Sequence, residues 1–162
     1  MAHLEAICVA PAAGAPMEVL TLVEAVLGAG LAPDRYARGR GYHSTRPTDP
    51  GAREVTLFEA EVLDWLVREH GLAFRATEHR RNLTTRGVEL TALIGRRIRV
   101  GAVLLEAIRD CPPCEHLAQL THKPILRPLV GRGGIRARVL AGGWMRVGDA
   151  VMVEELARAT GQ

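Results

Sequence analysis

The sequence predicts one mainly β domain, a barrel or other closed sheet with a few helices at its periphery. Three observations point there. From Phe74 onward, short β-branched segments follow one another, punctuated by glycine turns at close spacing. Only a few stretches carry apolar residues at helical spacing. The chain has 162 residues, a length at which one core buries about two-thirds of the extended surface. No repeat, low-complexity tract or second core is visible, so residues 1–162 read as a single domain.

Taken in order, His3 to Val9 reads as a first strand, stopped by Pro11 and the Gly14-Ala15-Pro16 turn. Met17, Leu20, Val23, Val26 and Leu27 then recur at helical spacing up to Gly28-Ala29-Gly30, which predicts a helix. Leu31 to Arg53 is polar and broken by prolines and glycines. It reads as a long ordered loop, a kind of segment that often carries function. Glu54 to Phe58 fits a strand. Glu59 to His70 fits an amphipathic helix, with Val62, Trp65 and Leu66 marking its inner face and Gly71 its end.

Asn82 to Thr85 reads as a strand turning at Arg86-Gly87, and Glu89 to Ile94 as a short helix. Arg97–Val100 and Ala102–Ile108 are strands kinked apart at Gly101. A helix-like segment follows Cys114. Gly134–Leu140 alternates Ile135, Ala137 and Val139 with Arg136 and Arg138, and Trp144–Val147 and Ala150–Val153 complete the set between glycine turns.

Composition narrows the function classes. The chain is 48% hydrophobic and 24% charged, with a formal net charge of +3, ordinary for a globular protein. It has no apolar run long enough for a membrane span and no basic-then-apolar leader after Met1, so a cytoplasmic protein without a membrane partner is expected. Lys123 is the sole lysine, and arginines supply the rest of the positive charge. Forked guanidinium groups suit a phosphate or carboxylate. Aromatics make up only 4% and do not alternate with the basic residues, which argues against a nucleic-acid partner.

The chemistry concentrates at Cys111-Pro112-Pro113-Cys114, where a strand-like segment ends and a helix-like one begins. A thiol at such a junction is poised to be exposed and to favour thiolate, the nucleophile and soft metal ligand. Zinc on Cys111, Cys114, His116 and His122 lacks the usual second ligand pair. A redox dithiol lacks its βαβ frame. A single working thiol at Cys114 is the better reading, against an inert buried cysteine. Three cysteines, an odd number, do not suggest a disulfide framework. Arg80, Arg81, Asn82, Thr84 and Thr85 form a candidate anion cradle, with Arg80, Asn82 and Thr84 expected on one face of a strand. A solvated strand face is the plain alternative.

Six segments occur in one order: Gly30 to Ala37, Glu54 to Leu57, Arg80 to Leu90, Leu93-Ile94-Gly95, Val100-Gly101, and Cys111 to Cys114. Gly134 to Val139 and Val147 to Val151 follow them. This succession resembles the MOSC family, the domain named after the C-terminal part of molybdenum cofactor sulfurases, over nearly the whole chain.

The resemblance implies a MOSC-type β-barrel with peripheral helices and a cysteine that carries sulfur or ligates molybdenum. It places Cys114 at the family's key cysteine, as catalytic thiol and metal ligand. It aligns Arg80 and Asn82 with an Arg-x-Asn motif that contacts the pterin of the molybdenum cofactor, and Arg35 with an arginine that holds the cofactor phosphate; Arg81 and Thr84 belong to the same cradle. The family's Gly-Asp-Arg is Pro33-Asp34-Arg35 here, which alters the preceding turn.

The chain has neither the extra β domain that encloses cofactor in longer reductases, for which a homodimer is the alternative, nor a desulfurase domain. Lysine-bound pyridoxal phosphate chemistry is therefore not expected of it. Three functions follow. One is a molybdenum-dependent reductase of N-hydroxylated substrates, or a cofactor-handling protein, fed by a separate redox partner. The second is a sulfur carrier that takes persulfide on Cys114 from a cysteine desulfurase. The third is a non-catalytic module for a pterin or another phosphorylated ligand.

Overall fold

The strand signals of the sequence are realised as hydrogen-bonded ladders in the computed structural model, which describes residues 1–154. Eleven strands, two α-helices and one 3-10 turn make up these residues. The strands are β1 (His3–Val9), β2 (Glu18–Leu20), β3 (Leu22–Val26), β4 (Gly30–Leu31) and β5 (Val55–Glu59), then β6 (Leu83–Arg86), β7 (Arg97–Val100) and β8 (Val103–Asp110), and finally β9 (Ile135–Ala141), β10 (Gly143–Arg146) and β11 (Val151–Glu154). The helices are α1 (Ala60–His70) and α2 (Glu115–Thr121), and the 3-10 turn is Leu90–Leu93, where a short helix over Glu89–Ile94 was expected.

Eight strands form one sheet in the order β11-β7-β8-β9-β5-β6-β1-β2, and β10-β3-β4 form a second. All pairs are antiparallel except β5 with β6, which are joined by the crossover through α1. Among the described residues no sheet is closed into a barrel by continuous pairing. The large sheet nevertheless curls until β1 meets the residues before β11. His3 bridges Ala150, the Leu4 N–H donates to the Asp149 carbonyl at 2.9 Å, and the Gly148 N–H donates to the Leu4 carbonyl at 2.8 Å.

Curling places alternate residues of each strand inside. Leu57, Leu83, Ile98, Leu105, Ile135 and Ala137 are all fully buried in the main core, and filling it with such side chains contributes roughly 1.5–3 kcal/mol for each large one. A smaller cluster forms outside the sheet, where Val62 and Leu66 of α1 and Leu117 of α2 pack on Phe58, Phe74, Ile125 and Leu129. Helix α1 ends as its sequence predicts. Gly71 is left-handed at φ 58°, its N–H reaches the Val67 carbonyl, and the next N–H, from Leu72, reaches Leu66.

The helix expected over Met17–Leu27 is instead β2 and β3. Val23 and Ala25 are buried while Leu22, Glu24 and Val26 are exposed, a period of two that the wider 17–27 spacing masked. Pairing of β3 with β10, Met145 opposite Val23, overrides the helical pattern. Between β4 and β5 the chain runs through successive turns, the long loop that the sequence predicts, and this loop is tied to β9 where Arg136 Nη1 donates to the Ala52 carbonyl at 3.4 Å.

Candidate functional site

A cavity of about 230 Å³ opens where the turn before β6, the end of β8, the start of α2 and the long loop converge. Its walls carry Arg35, Arg80, Arg81 and Arg136, Cys111 and Cys114, Tyr36 and Tyr42, His43 and His116, and among the described residues no carboxylate. The chain therefore offers this space positive charge, aromatic faces and sulfur.

Cys114 is the half-buried cysteine of the three, while Cys8 and Cys111 are buried, and all three are free thiols. Burial pushes the Cys8 thiol up to about 11, which leaves it inert at neutral pH. The loop that carries Cys114 is held by Arg81. Its Nε donates to the Gly133 carbonyl at 2.9 Å, and Nη2 donates to the carbonyls of Cys111 at 2.9 Å and Pro112 at 3.1 Å. Nη1 reaches the His79 carbonyl at 3.2 Å. Gly133 is required at that contact, because a Cβ there would lie 2.3 Å from the Cys111 carbonyl oxygen.

Arg81 is in turn positioned by His79. Its backbone N–H donates to His79 Nδ1 at 2.9 Å, so the ring proton sits on Nε2 and is donated to Thr84 Oγ1, also at 2.9 Å. The ring is fully buried and stacks on Phe58 with centroids 4.2 Å apart. Burial and the Arg81 charge hold its pKa well below the ordinary histidine range, which keeps the imidazole neutral.

Arg80 stands in the left-handed region at φ 59°, unusual for a side-chain-bearing residue. Its Nη1 donates to the Ala15 carbonyl at 2.7 Å, but Nη2 is buried with no partner. Burial and the neighbouring Arg35 guanidinium draw its pKa down to about 10, so it remains a cation at neutral pH. Arg35 pairs with the fully buried Asp34 at 2.9 Å and reaches the Arg80 carbonyl at 3.4 Å. Asp34 also accepts the Ala10 and Tyr36 backbone N–H groups. The Pro33-Asp34-Arg35 turn thus still delivers its arginine to the cavity.

Of the cradle expected from sequence, Arg80 and Arg81 line the cavity and Asn82 and Thr84 do not. The expectation of one strand face fails because β6 begins only at Leu83, after the left-handed turn at Arg80. Asn82 instead joins two strands: Nδ2 donates to the Cys8 carbonyl at 3.1 Å, and Oδ1 accepts the Thr56 N–H at 3.1 Å. Thr84 is spent on His79, and Thr85 Oγ1 is buried without a partner. Among the described residues no group of three or more His, Cys, Asp and Glu side chains is placed to hold a metal. His116 faces the cavity, whereas His122 caps the end of α2.

Beside His116, which the sequence weighed only as a zinc ligand, stand Tyr42, His43 and Arg46, which it did not single out. The Tyr42 and His116 rings stack 3.7 Å apart, His43 meets Tyr42 edge-on, and Arg46 lies 5.4 Å over the Tyr42 ring. Burial and then the arginines Arg46, Arg136 and Arg53 lower the His43 pKa to about 4. Burial, Arg80 and Arg35 lower that of His116. The available signal for this group was the long polar loop itself, which carries Tyr42, His43 and Arg46.

The model of the MOSC domain matches residues 43–152, which includes the cavity's cysteine loop, Arg80, Arg81 and Arg136. The chain belongs to the MOSC domain family. Solved structures similar to this MOSC chain include the YUAD protein from Bacillus subtilis, at 17% identity and a TM-score of 0.77 over 93% of this chain and 94% of that one. YiiM from Geobacillus stearothermophilus aligns at 17% identity and 0.66 over 96% and 76% of the two chains. YiiM from Escherichia coli aligns at 16% and 0.68 over 96% and 71%. At such identities the likeness establishes the MOSC fold alone. No curated protein matches the chain by sequence. No helix among the described residues is long and apolar enough to cross a membrane.

Proposed function

We propose that the cavity holds the phosphorylated pterin of a molybdenum cofactor, with Cys114 as the protein's ligand to the metal. The observation that carries this reading is that Arg80, whose buried Nη2 has no partner, lines the same cavity as the half-exposed Cys114. A buried guanidinium nitrogen without an acceptor costs free energy that an anionic group would recover. The family supplies the group with the matching chemistry, an anion and a metal that takes thiolate. With four arginines and, among the described residues, no carboxylate on its walls, the cavity also suits such a ligand by charge.

Within this reading each residue has a distinct task. Arg80 binds the phosphate through its free nitrogen, and Arg35, fixed by Asp34, supports it. Arg81 holds the cysteine loop to the sheet, so that the Cys114 sulfur is presented at a constant position. Asn82 and Thr84 act behind the wall, by joining β1 to β5 and by orienting His79. Tyr42 and His116 shield the interior from water. At about 230 Å³ the cavity is smaller than the ~300 Å³ at the low end of ligand pockets, so it encloses the reacting end of the ligand and leaves the remainder toward the mouth. The barrel reading of the fold is supported by the bridge from His3 to Ala150.

When bound, the cofactor would supply two-electron reduction of an N-hydroxylated substrate. The reaction is R–NHOH plus two electrons and two protons giving R–NH2 and water, with the electrons supplied by a separate redox partner.

The test is molybdenum and pterin content of the wild-type chain, Cys114→Ser and Cys111→Ser, purified anaerobically from a host that makes the cofactor. Near-equimolar metal and pterin in the wild type and in Cys111→Ser, with metal lost in Cys114→Ser, is the expected result. Absence of both in the wild type, with a persulfide on Cys114, would replace this reading by sulfur carriage.

A further inference from the structure

Beyond the inner pair Arg35 and Arg80, three more arginines gather beside the cavity: Arg136 lines its wall, Arg46 lies over the Tyr42 ring, and Arg53 lines a neighbouring hollow with Glu54. They are tied to one loop. Arg53 Nη1 donates to the Arg46 carbonyl, its Nη2 to the Pro47 carbonyl at 3.5 Å, and Arg136 Nη1 to the Ala52 carbonyl at 3.4 Å. Among the described residues none of the three forms an ion pair. Asp49, a carboxylate on the same loop, is taken at 3.7 Å by Arg109, which lies opposite Arg136 in the β8–β9 ladder.

Mutual repulsion marks the closeness of the three. Burial and then Arg136 lower the Arg53 pKa, with Arg46 adding to the effect, and all three act on His43. The inner arginines act instead on His116. Arg46 lies over the Tyr42 ring, which stacks on His116, and Tyr42, His116, His43 and Arg136 line the same cavity as Arg80. Like charges held together without a counter-ion favour a bound anion.

We infer that Arg46, Arg53 and Arg136 form a second anion subsite, and that the cavity takes an organic ligand bearing two separated phosphoryl groups, one on Arg80 and the other on this trio. This rests on the reading of Arg80 as a phosphate holder.

Titration with methylphosphonate and with a series of alkane-α,ω-bisphosphonates of increasing chain length tests it. At one length the bisphosphonate binds the wild type at least about tenfold tighter than methylphosphonate, because the second contact is made intramolecularly. Arg136→Gln and the exposed-loop variant Arg46→Gln each remove most of that advantage, and added salt diminishes it. No advantage at any length, or one indifferent to both substitutions, overturns the second subsite. Methylphosphonate binding that ignores Arg80→Gln would count against the inner phosphate reading alone.

Discussion

At the scale of residues, one guanidinium braces the site and another is left free to bind. Arg81 spends its donors on the carbonyls of Gly133, His79, Cys111 and Pro112, whereas Arg80 keeps a buried nitrogen unpaired. Arg81→Met should therefore cost about 3 kcal/mol or more, since it strands several carbonyls at once, and Arg81→Lys should recover little of it because an ammonium cannot reproduce the fork. Urea unfolding of both variants measures the difference. Sequence grouped Arg80, Arg81, Arg35 and Cys114 in one candidate site, but it did not separate the bracing of Arg81 from the free donor of Arg80. The division depends on a left-handed turn at Arg80, and a non-glycine residue gives no local signal of that. Asn82 and Thr84 were legible as polar residues of consequence, and only the three-dimensional pairing shows that they serve the wall behind the cavity.

At the scale of elements, most strands and helix α1 were legible because a two-residue or helical period coincided with a glycine or proline stop. β2 and β3 were not, since Leu20, Val23, Val26 and Leu27 satisfy a helical spacing and only the distant partner β10 decides otherwise. Glycines show how closely the elements around the site are fitted. Gly134, leading into β9, has φ 94°, and a Cβ there would lie 2.0 Å from the Leu57 carbonyl oxygen of β5. Gly148 has nearly the same φ, 98°, with nothing within 4 Å. Gly148→Ala should cost about 1–2 kcal/mol, the left-handed strain alone, and Gly134→Ala roughly 2 kcal/mol more from overlap with backbone. Equal unfolding midpoints for the two variants would contradict the close approach of β5 and β9.

At the scale of the whole molecule, the curled sheet buries neutral histidine and gathers uncompensated arginine, and both should appear in stability. His79 and His43 have folded pKa values below the ordinary 6.5, in the case of His43 about 4. Below pH 6.5 the unfolded chain therefore binds protons that the folded chain does not, so stability falls as pH falls through the window from about 6.5 to 4. The fully buried His79 contributes up to roughly 1.4 kcal/mol per pH unit within it, and solvent screening leaves the more exposed His43 a smaller share. Urea midpoints measured at pH 7.5 and pH 5 should differ in that direction, and a midpoint that is flat or rises toward pH 5 would contradict the buried neutral state. Sequence placed Arg35 and Arg80 together only through the family resemblance and gave no sign that Arg136 joins them at the cavity, because the three lie far apart along the chain.

The claim on which the functional account rests is that the reactive thiol and the anion-binding arginine share one cavity. Alkylation of the native protein, followed cysteine by cysteine by mass spectrometry with and without inorganic phosphate, measures this directly. The account predicts that Cys114 reacts first, that phosphate slows it in the wild type, and that Arg80→Gln abolishes the protection. Preferential reaction at Cys111 or Cys8, or a Cys114 rate indifferent to phosphate at every concentration, would contradict it.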